Sequence, residues 1–161
     1  MMSKTEKLPH YRHLLLKKTT KDYLMVSIQF LLFGLYAFDV LPHFEAPKTL
    51  IDMGLILTVF GVLVVLMAIL QLNTSLTIFP TPKSHSTLLS KGVFKYSRHP
   101  IYSGILMLTV GNAISQTSYY KLIISGLLVV LFYFKSQYEE QQLAKKFPEY
   151  QDYQKKVRRF F

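Results

Sequence analysis

The chain lacks the residues on which several common kinds of active site depend. Its 161 residues include no cysteine, which excludes disulfides, thiolate metal sites and cysteine nucleophiles. Charged residues are few, at 17%, and the 9 acidic side chains are outnumbered by 19 lysines and arginines. Residues 1–21 are polar and basic, without an apolar core or a small-residue cleavage site. The sequence therefore predicts no signal peptide at its start.

Apolar residues are abundant instead. Half of the chain is hydrophobic and the mean hydropathy is +0.24, which is more apolar than a typical soluble domain. Apolar segments cover residues 23 to about 41, 53–72, 100–114 and 119–134. The second is long enough for a hydrocarbon core of ~30 Å, whereas the last two are shorter and are joined by a brief polar turn. We predict one all-α, integral-membrane domain over residues 1–161, with about four transmembrane helices.

The charges between these segments test that topology independently. Residues 1–21 and 73–99 are basic, whereas residues 39–52 hold three acids and one lysine. The positive-inside rule then places the basic regions, and both termini, in the cytoplasm. A soluble protein with buried core helices would not show this alternation. The formal charge of +10 also fits an anionic membrane surface better than a nucleic-acid groove, so we expect no nucleic-acid partner.

A polar motif stands at the start of the third apolar segment and reads Arg98-His99-Pro100-Ile-Tyr102-Ser-Gly104. Proline suits the first position of a helix, so the residues before Pro100 should cap it. Unpaired amides there favour a carboxylate or phosphate, reinforced by Arg98. Gly104 permits close approach of a backbone or a flat ring. His99 is either a capping histidine or a ligand-binding one; the other four histidines lack the spacing of a metal site, so none is predicted.

Glu139 and Glu140 follow the fourth apolar segment. On residue type alone they would lie on a solvated helix surface; the alternative is that one of them binds a cationic ligand. Beyond them, apolar residues recur at steps of three and four from position 143 to 160, with basic residues between. This spacing predicts a C-terminal amphipathic helix that lies in the membrane interface.

Together these motifs resemble the isoprenylcysteine carboxyl methyltransferase and phospholipid methyltransferase superfamily. The matching elements, over about half of the chain, are Phe79-Pro-Thr-Pro82, Leu88-Leu-Ser-Lys-Gly-Val-Phe94, Arg98 to Gly104, Glu139-Glu140 with Leu143, and Phe147 to Phe160. The resemblance implies an integral-membrane enzyme that uses S-adenosylmethionine without a Rossmann domain. The absence of a Gly-x-Gly-x-x-Gly motif agrees with this.

The resemblance also implies which residues bind the cofactor. They are Ser86, Thr87, Leu88, Leu89, Gly92, Val93, Phe94, His99, Pro100, Ile101, Tyr102, Gly104 and Glu139. His99 and nearby amides would hold the methionine portion, and Glu139 would bind the amino group or offset the sulfonium charge. Leu88, Leu89 and Tyr102 would enclose the adenosine. Phe94 departs from the tyrosine that is common in the family, which removes a hydroxyl.

The implied catalytic residues are Lys135, Glu140 and Arg98. Lys135 stands near the place of an arginine that engages the substrate carboxylate in the eukaryotic isoprenylcysteine enzymes, and lysine lacks the bidentate fork. A carboxylate acceptor needs no base and would be oriented by Lys135 or Arg98. An amine acceptor must lose a proton, to Glu140 or His99.

Several interpretations stay open at this point. We expect a direct in-line methyl transfer to a lipid or prenylated small molecule that enters sideways from the bilayer, with a phospholipid, amine or thiol acceptor as the alternative. Sterol-reductase-like enzymes that bind NADPH share the architecture but are much longer. A membrane scaffold without activity would leave the motifs unexplained. The minimal chain favours a prokaryotic inner membrane over the endoplasmic reticulum.

Overall fold

The computed structural model describes residues 19–72 and 88–161. In these residues the secondary structure is helical, without strands, as predicted. The helices are α1 (Thr20–Tyr36), α2 (Lys48–Leu72), α3 (Pro100–Ser115), α4 (Tyr119–Lys146) and α5 (Tyr150–Lys156), with a 3-10 turn at Gly92–Lys95.

Two of the described helices are long and apolar enough to cross a membrane. These are α2, with 25 residues, and α4, with 28. The helices α1 and α3 have 17 and 16 residues, and at 1.5 Å per residue they extend ~25 Å, short of the ~30 Å of hydrocarbon. Only 22% of the most apolar window of α2 is buried. An exposed apolar surface of that extent fits lipid contact better than water.

The helices pack as a series. α1 packs on α4, α4 on α3, and α3 on α2, with the last contact the most extensive. Leu32 of α1 meets Ile124, Leu128 and Phe132 of α4 in the core. No comparable contact joins α1 to α2 in the described part of the chain. Within the described residues, the two ends of the series therefore leave a slot between α1 and α2.

Glycines set the close contact between α2 and α3. A Cβ atom on Gly61 would lie 2.5 Å from the amide nitrogen of Leu108 and 2.6 Å from the carbonyl oxygen of Gly104. Small residues permit such backbone contact between membrane helices. Gly104 therefore allows the backbone of α2 to approach closely. Its space is filled by Gly61 and Val65.

One predicted helix end needs correction, and another extends beyond its apolar segment. The first helix ends at Tyr36, not near residue 41, because Asp39 leaves it to accept a hydrogen bond from Ser118 at 2.8 Å and to pair with His43 at 3.2 Å. The fourth helix continues beyond the apolar segment to Lys146, so the two glutamates lie on its last turns, where they were predicted.

The C-terminal helix is much shorter than predicted. Phe147 is extended, with φ −118° and ψ 108°, as expected for a residue that precedes a proline, here Pro148. The following helix α5 has seven residues. Residues 157–161 then run beside the residues that precede α3, with one parallel bridge between Ser97 and Arg158.

Candidate active site

The start of α3 has the predicted cap. His99 is the N-cap residue and Pro100 the first residue of the helix. The amides of Arg98 and His99, however, donate to the carbonyl oxygens of Arg158 and Arg159 at 2.8 and 3.1 Å. An anion at this helix end would instead use the next amides, of Ile101 and Tyr102, since the first amides of a helix have no carbonyl partner within it.

Glu140 is surrounded by hydrogen-bond donors. Its side chain is 4% exposed. Its Oε1 lies 3.1 Å from a guanidinium nitrogen of Arg98, 3.1 Å from Nε of Arg159 and 3.1 Å from Nε2 of His99. Its Oε2 accepts from Arg159 at 2.9 Å and from Gln154 at 3.1 Å. Two guanidinium groups favour the ionised carboxylate, and both of its oxygens are occupied.

His99 lies between the two glutamates. Because an ionised carboxylate only accepts, the contact with Glu140 requires the proton on Nε2. That leaves Nδ1 facing Oε2 of Glu139, 3.7 Å away. Nδ1 is then either an acceptor or, in the charged imidazolium, a donor toward Glu139. The ring is buried, and both of its nitrogens face a carboxylate.

Glu139 is the more accessible of the pair, with a side chain 25% exposed. Tyr102 donates its hydroxyl to Oε2 of Glu139 at 3.1 Å. The Tyr102 ring stacks with two other rings. Its centroid lies 5.5 Å from that of His99 with an interplanar angle of 6°, and 4.7 Å from that of Phe132 with an angle of 13°. This stack fixes the orientation of the hydroxyl, and through it that of the carboxylate.

Lys135 lies one turn before Glu139 and is 1% exposed. Its ammonium group donates to the side-chain oxygen of Gln29 on α1. It also lies 5.6 Å from the centre of the Tyr102 ring, a favourable position for a cation. The contact with Gln29 joins α1 to the site.

Several of these side chains line a cavity of about 280 Å³, near the lower end of the range of small-molecule pockets. Glu140, which was predicted to be catalytic, is not in its wall. The predicted site residues in its wall are Phe94, Arg98, His99, Pro100, Ile101, Tyr102, Lys135 and Glu139. The sequence analysis missed Gln29, Val65, Ile69, Leu72 and Ile105, which complete the wall. Gln29 had a usable signal, because a polar residue within a predicted transmembrane helix commonly marks a functional site.

Other predicted cofactor residues do not line this cavity. Leu89 and Val93 pack with Phe94 around Ala68 of α2, and Leu88 is half-buried. Gly92 has a φ of +59°, and a Cβ there would meet the Gln71 side chain, which accepts from the Val93 amide at 2.9 Å. Gly104 faces α2, and the space beside it is filled by helix packing. Ser86 and Thr87 lie outside the described residues.

The 3-10 turn is also held by the C-terminal helix. Tyr153 donates its hydroxyl to the Phe94 carbonyl oxygen at 2.5 Å. Burial raises the pKa of Tyr153 to about 12, so the hydroxyl keeps its proton at neutral pH. The turn and α5 thus support the cavity wall at Phe94.

Comparison with known families decides which enzymes this arrangement belongs with. A family model described as phospholipid methyltransferase matches residues 50–150, which is more than half of the chain. The chain belongs to the phospholipid methyltransferase family. Comparison with curated proteins gives no match. The matched range contains the cavity wall from α2, α3 and α4, whereas Gln29 of α1 and the residues after position 150 lie outside it.

Membership in the phospholipid methyltransferase family and the two apolar helices of spanning length agree with each other. They establish a membrane-associated methyltransferase family as the context for the cavity.

Proposed function

We propose that this protein transfers a methyl group from S-adenosylmethionine to a lipid or prenylated acceptor at the cytoplasmic boundary of a membrane. In the proposed arrangement α1 to α4 cross the bilayer, and both termini are cytoplasmic. The single observation that carries the proposal is the cavity itself. Glu139, Arg98 and Lys135 line it together with apolar residues of α2 and α3, within a chain of a methyltransferase family.

The residues of the cavity fit the cofactor. Glu139 offers a carboxylate to its positive charges, and Phe94 offers aromatic surface to the adenine. Arg98 is buried, and within the described residues its Nε has no hydrogen-bond partner. A buried donor of this kind favours an anionic group such as the cofactor carboxylate. When bound, the cofactor supplies an electrophilic methyl group on a positively charged sulfur.

The two glutamates would have different roles. Glu140 has both oxygens engaged by donors, so it holds the site together and is poorly placed to accept a proton. Glu139 and His99 face each other at the cavity. We propose that this pair receives the proton of an amine acceptor, and that a carboxylate acceptor would instead be oriented by Lys135. The family match supports the amine of a phospholipid as the second candidate acceptor, beside a prenylated carboxylate.

The slot between α1 and α2 is the proposed entrance for the acceptor. One side of the cavity is formed by Val65, Ile69 and Leu72 of α2, and Gln29 of α1 stands on the other. Because α1 and α2 do not pack closely in the described residues, a hydrocarbon chain has an apolar route from the bilayer. Catalysis would then come from positioning both reactants and excluding water.

The first test is calorimetric titration of the purified protein in detergent with S-adenosylmethionine, S-adenosylhomocysteine and NADPH. We expect saturable binding of the first two and no heat from NADPH. Binding of NADPH alone would contradict the proposal and favour a reductase. Phosphatidylethanolamine and a farnesylated N-acetylcysteine, each offered with labelled donor, then separate the amine from the carboxylate acceptor.

Replacing Lys135 with methionine tests the acceptor end of the cavity. Methionine keeps an unbranched apolar chain but removes the charge. We expect the KM for an anionic acceptor to rise about tenfold, the effect of losing ~1.4 kcal/mol of charge-assisted binding, while the Kd of the donor changes little. Lys145→Met, on the exposed end of the same helix, is the control. An equal loss of donor affinity would place Lys135 in the donor site instead.

A further inference from the structure

We propose that Arg159 is a positioning residue, which acts through Glu140 to hold His99 in the orientation that donor binding needs. The role of S-adenosylmethionine as the donor rests on the proposed function. The positioning of His99 is inferred from geometry alone. Arg159 lies beyond the range that the family model matches, and it does not line the cavity. Any effect on the donor must therefore pass through another residue.

The contact between Arg159 and Glu140 has two points. Nε donates to Oε1 at 3.1 Å, and a terminal nitrogen donates to Oε2 at 2.9 Å. The guanidinium carbon also lies 5.2 Å from the centre of the Tyr133 ring. The hydrogen bonds to Glu140 raise the pKa of Arg159, so the group stays charged. A two-point contact fixes the plane of the carboxylate as well as its charge.

Glu140 transmits this orientation to the cavity. The oxygen that accepts from Nε of Arg159 also lies 3.1 Å from Nε2 of His99. Rotation of the carboxylate would therefore move the acceptor away from the imidazole. Without Arg159, Glu140 would keep single contacts from Arg98 and Gln154 beside that of His99. The plane of the carboxylate would no longer be fixed, and its control of the His99 tautomer would weaken.

The backbone of the same segment reinforces the arrangement. The carbonyl oxygen of Arg159 accepts from the His99 amide at 3.1 Å and from Oγ of Ser97 at 3.0 Å. The amide of Phe161 donates to Oγ of Ser103 at 3.3 Å, and the Phe160 ring lies 6.2 Å from that of His99. Residues 157–161 thus contact the backbone and the ring of His99, and the ion pair with Glu140 holds them there.

Arg159→Gln is the principal variant. We expect the Kd and KM for S-adenosylmethionine to rise about tenfold, with a smaller change in kcat, and Arg159→Lys to recover part of the loss. Arg158→Gln is the matched control, because it removes the same charge from an exposed neighbour and leaves the backbone unchanged. In a Glu140→Gln background the Arg159→Gln change should cost much less, since coupled residues are not additive.

A second measurement needs no donor. Hydrogen exchange of the Arg98 and His99 amides in the ligand-free protein should be faster in Arg159→Gln than in Arg158→Gln, at an unchanged Tm. If the wild type binds no S-adenosylmethionine, the proposed function fails while this exchange still tests the positioning. Equal exchange and equal affinity in the two variants would overturn the inference. A full, additive loss of affinity in the Glu140→Gln background would also overturn the inference, because it would show that Arg159 does not act through Glu140.

Discussion

Glu139→Ala is expected to abolish S-adenosylmethionine binding, with a Kd increase of about 100-fold or more, while the protein stays folded. Glu139 is the accessible carboxylate of the cavity, and a positively charged ligand that loses its counter-charge in a partly buried site loses ~3 kcal/mol. Calorimetric titration measures the loss, and helical circular dichroism with the Tm checks the fold. His99→Ala should weaken donor binding in the same way.

Two further variants identify the cause of that loss. Glu139→Gln keeps the size and a hydrogen-bond acceptor for Tyr102 but removes the charge. We expect it to lose nearly as much affinity as the alanine variant. Glu149→Ala removes an exposed carboxylate near the same end of the protein and should bind like the wild type. Wild-type affinity in Glu139→Ala would refute the assignment of the donor site.

Gly61→Ala is expected to cause a large loss of stability, although it adds a single methyl group. The added methyl group would lie 2.5 Å from the Leu108 amide nitrogen and 2.6 Å from the Gly104 carbonyl oxygen, so α2 and α3 must separate. Overpacking of this kind costs about 3 kcal/mol, which corresponds to a fall in Tm of roughly 10 °C. Thermal unfolding in a fixed detergent is the measurement.

Glycines elsewhere in the chain provide the control for this prediction. A Cβ atom added to Gly34 or to Gly126 would have no neighbouring atom within 4 Å among the described residues. Replacing either with alanine should leave the Tm unchanged or raise it slightly, because alanine favours helix by up to ~1 kcal/mol. Similar Tm values for Gly61→Ala and Gly34→Ala would show that the contact between α2 and α3 is looser than the structure indicates.

Close packing of α2 and α3 also affects the site. Gly104 follows Tyr102 by two residues, and Val65, which contacts Gly104, also lines the cavity. Separation of the two helices would move the Tyr102 ring relative to the α2 wall. We therefore expect Gly61→Ala to weaken donor binding in proportion to its effect on stability, unlike Glu139→Ala, which should affect binding alone.

Much of the helical structure was determined by local sequence. The apolar runs predict α3 and the end of α2 nearly to the residue, although α2 begins at Lys48, five residues before the predicted start. Pro100 marks the start of α3, since proline favours the first position of a helix and needs no amide partner there. The short polar turn before Tyr119 separates α3 from α4 as predicted. The sequence motifs also identify most of the charged cavity wall, because their residues lie close together along single helix ends.

Only the tertiary structure decided how those residues are used. The two adjacent glutamates are equivalent in the sequence, yet Glu140 is enclosed by donors and Glu139 faces the cavity. Gln29 reaches Lys135 across 106 positions of sequence, and Arg159 reaches Glu140 from a segment that was predicted to be helical. Such contacts depend on how whole helices pack and where the chain turns back. Hydrophobic period and local propensity carry no information about either, which is why packing alone distinguishes the enclosed carboxylate from the one that faces the cavity.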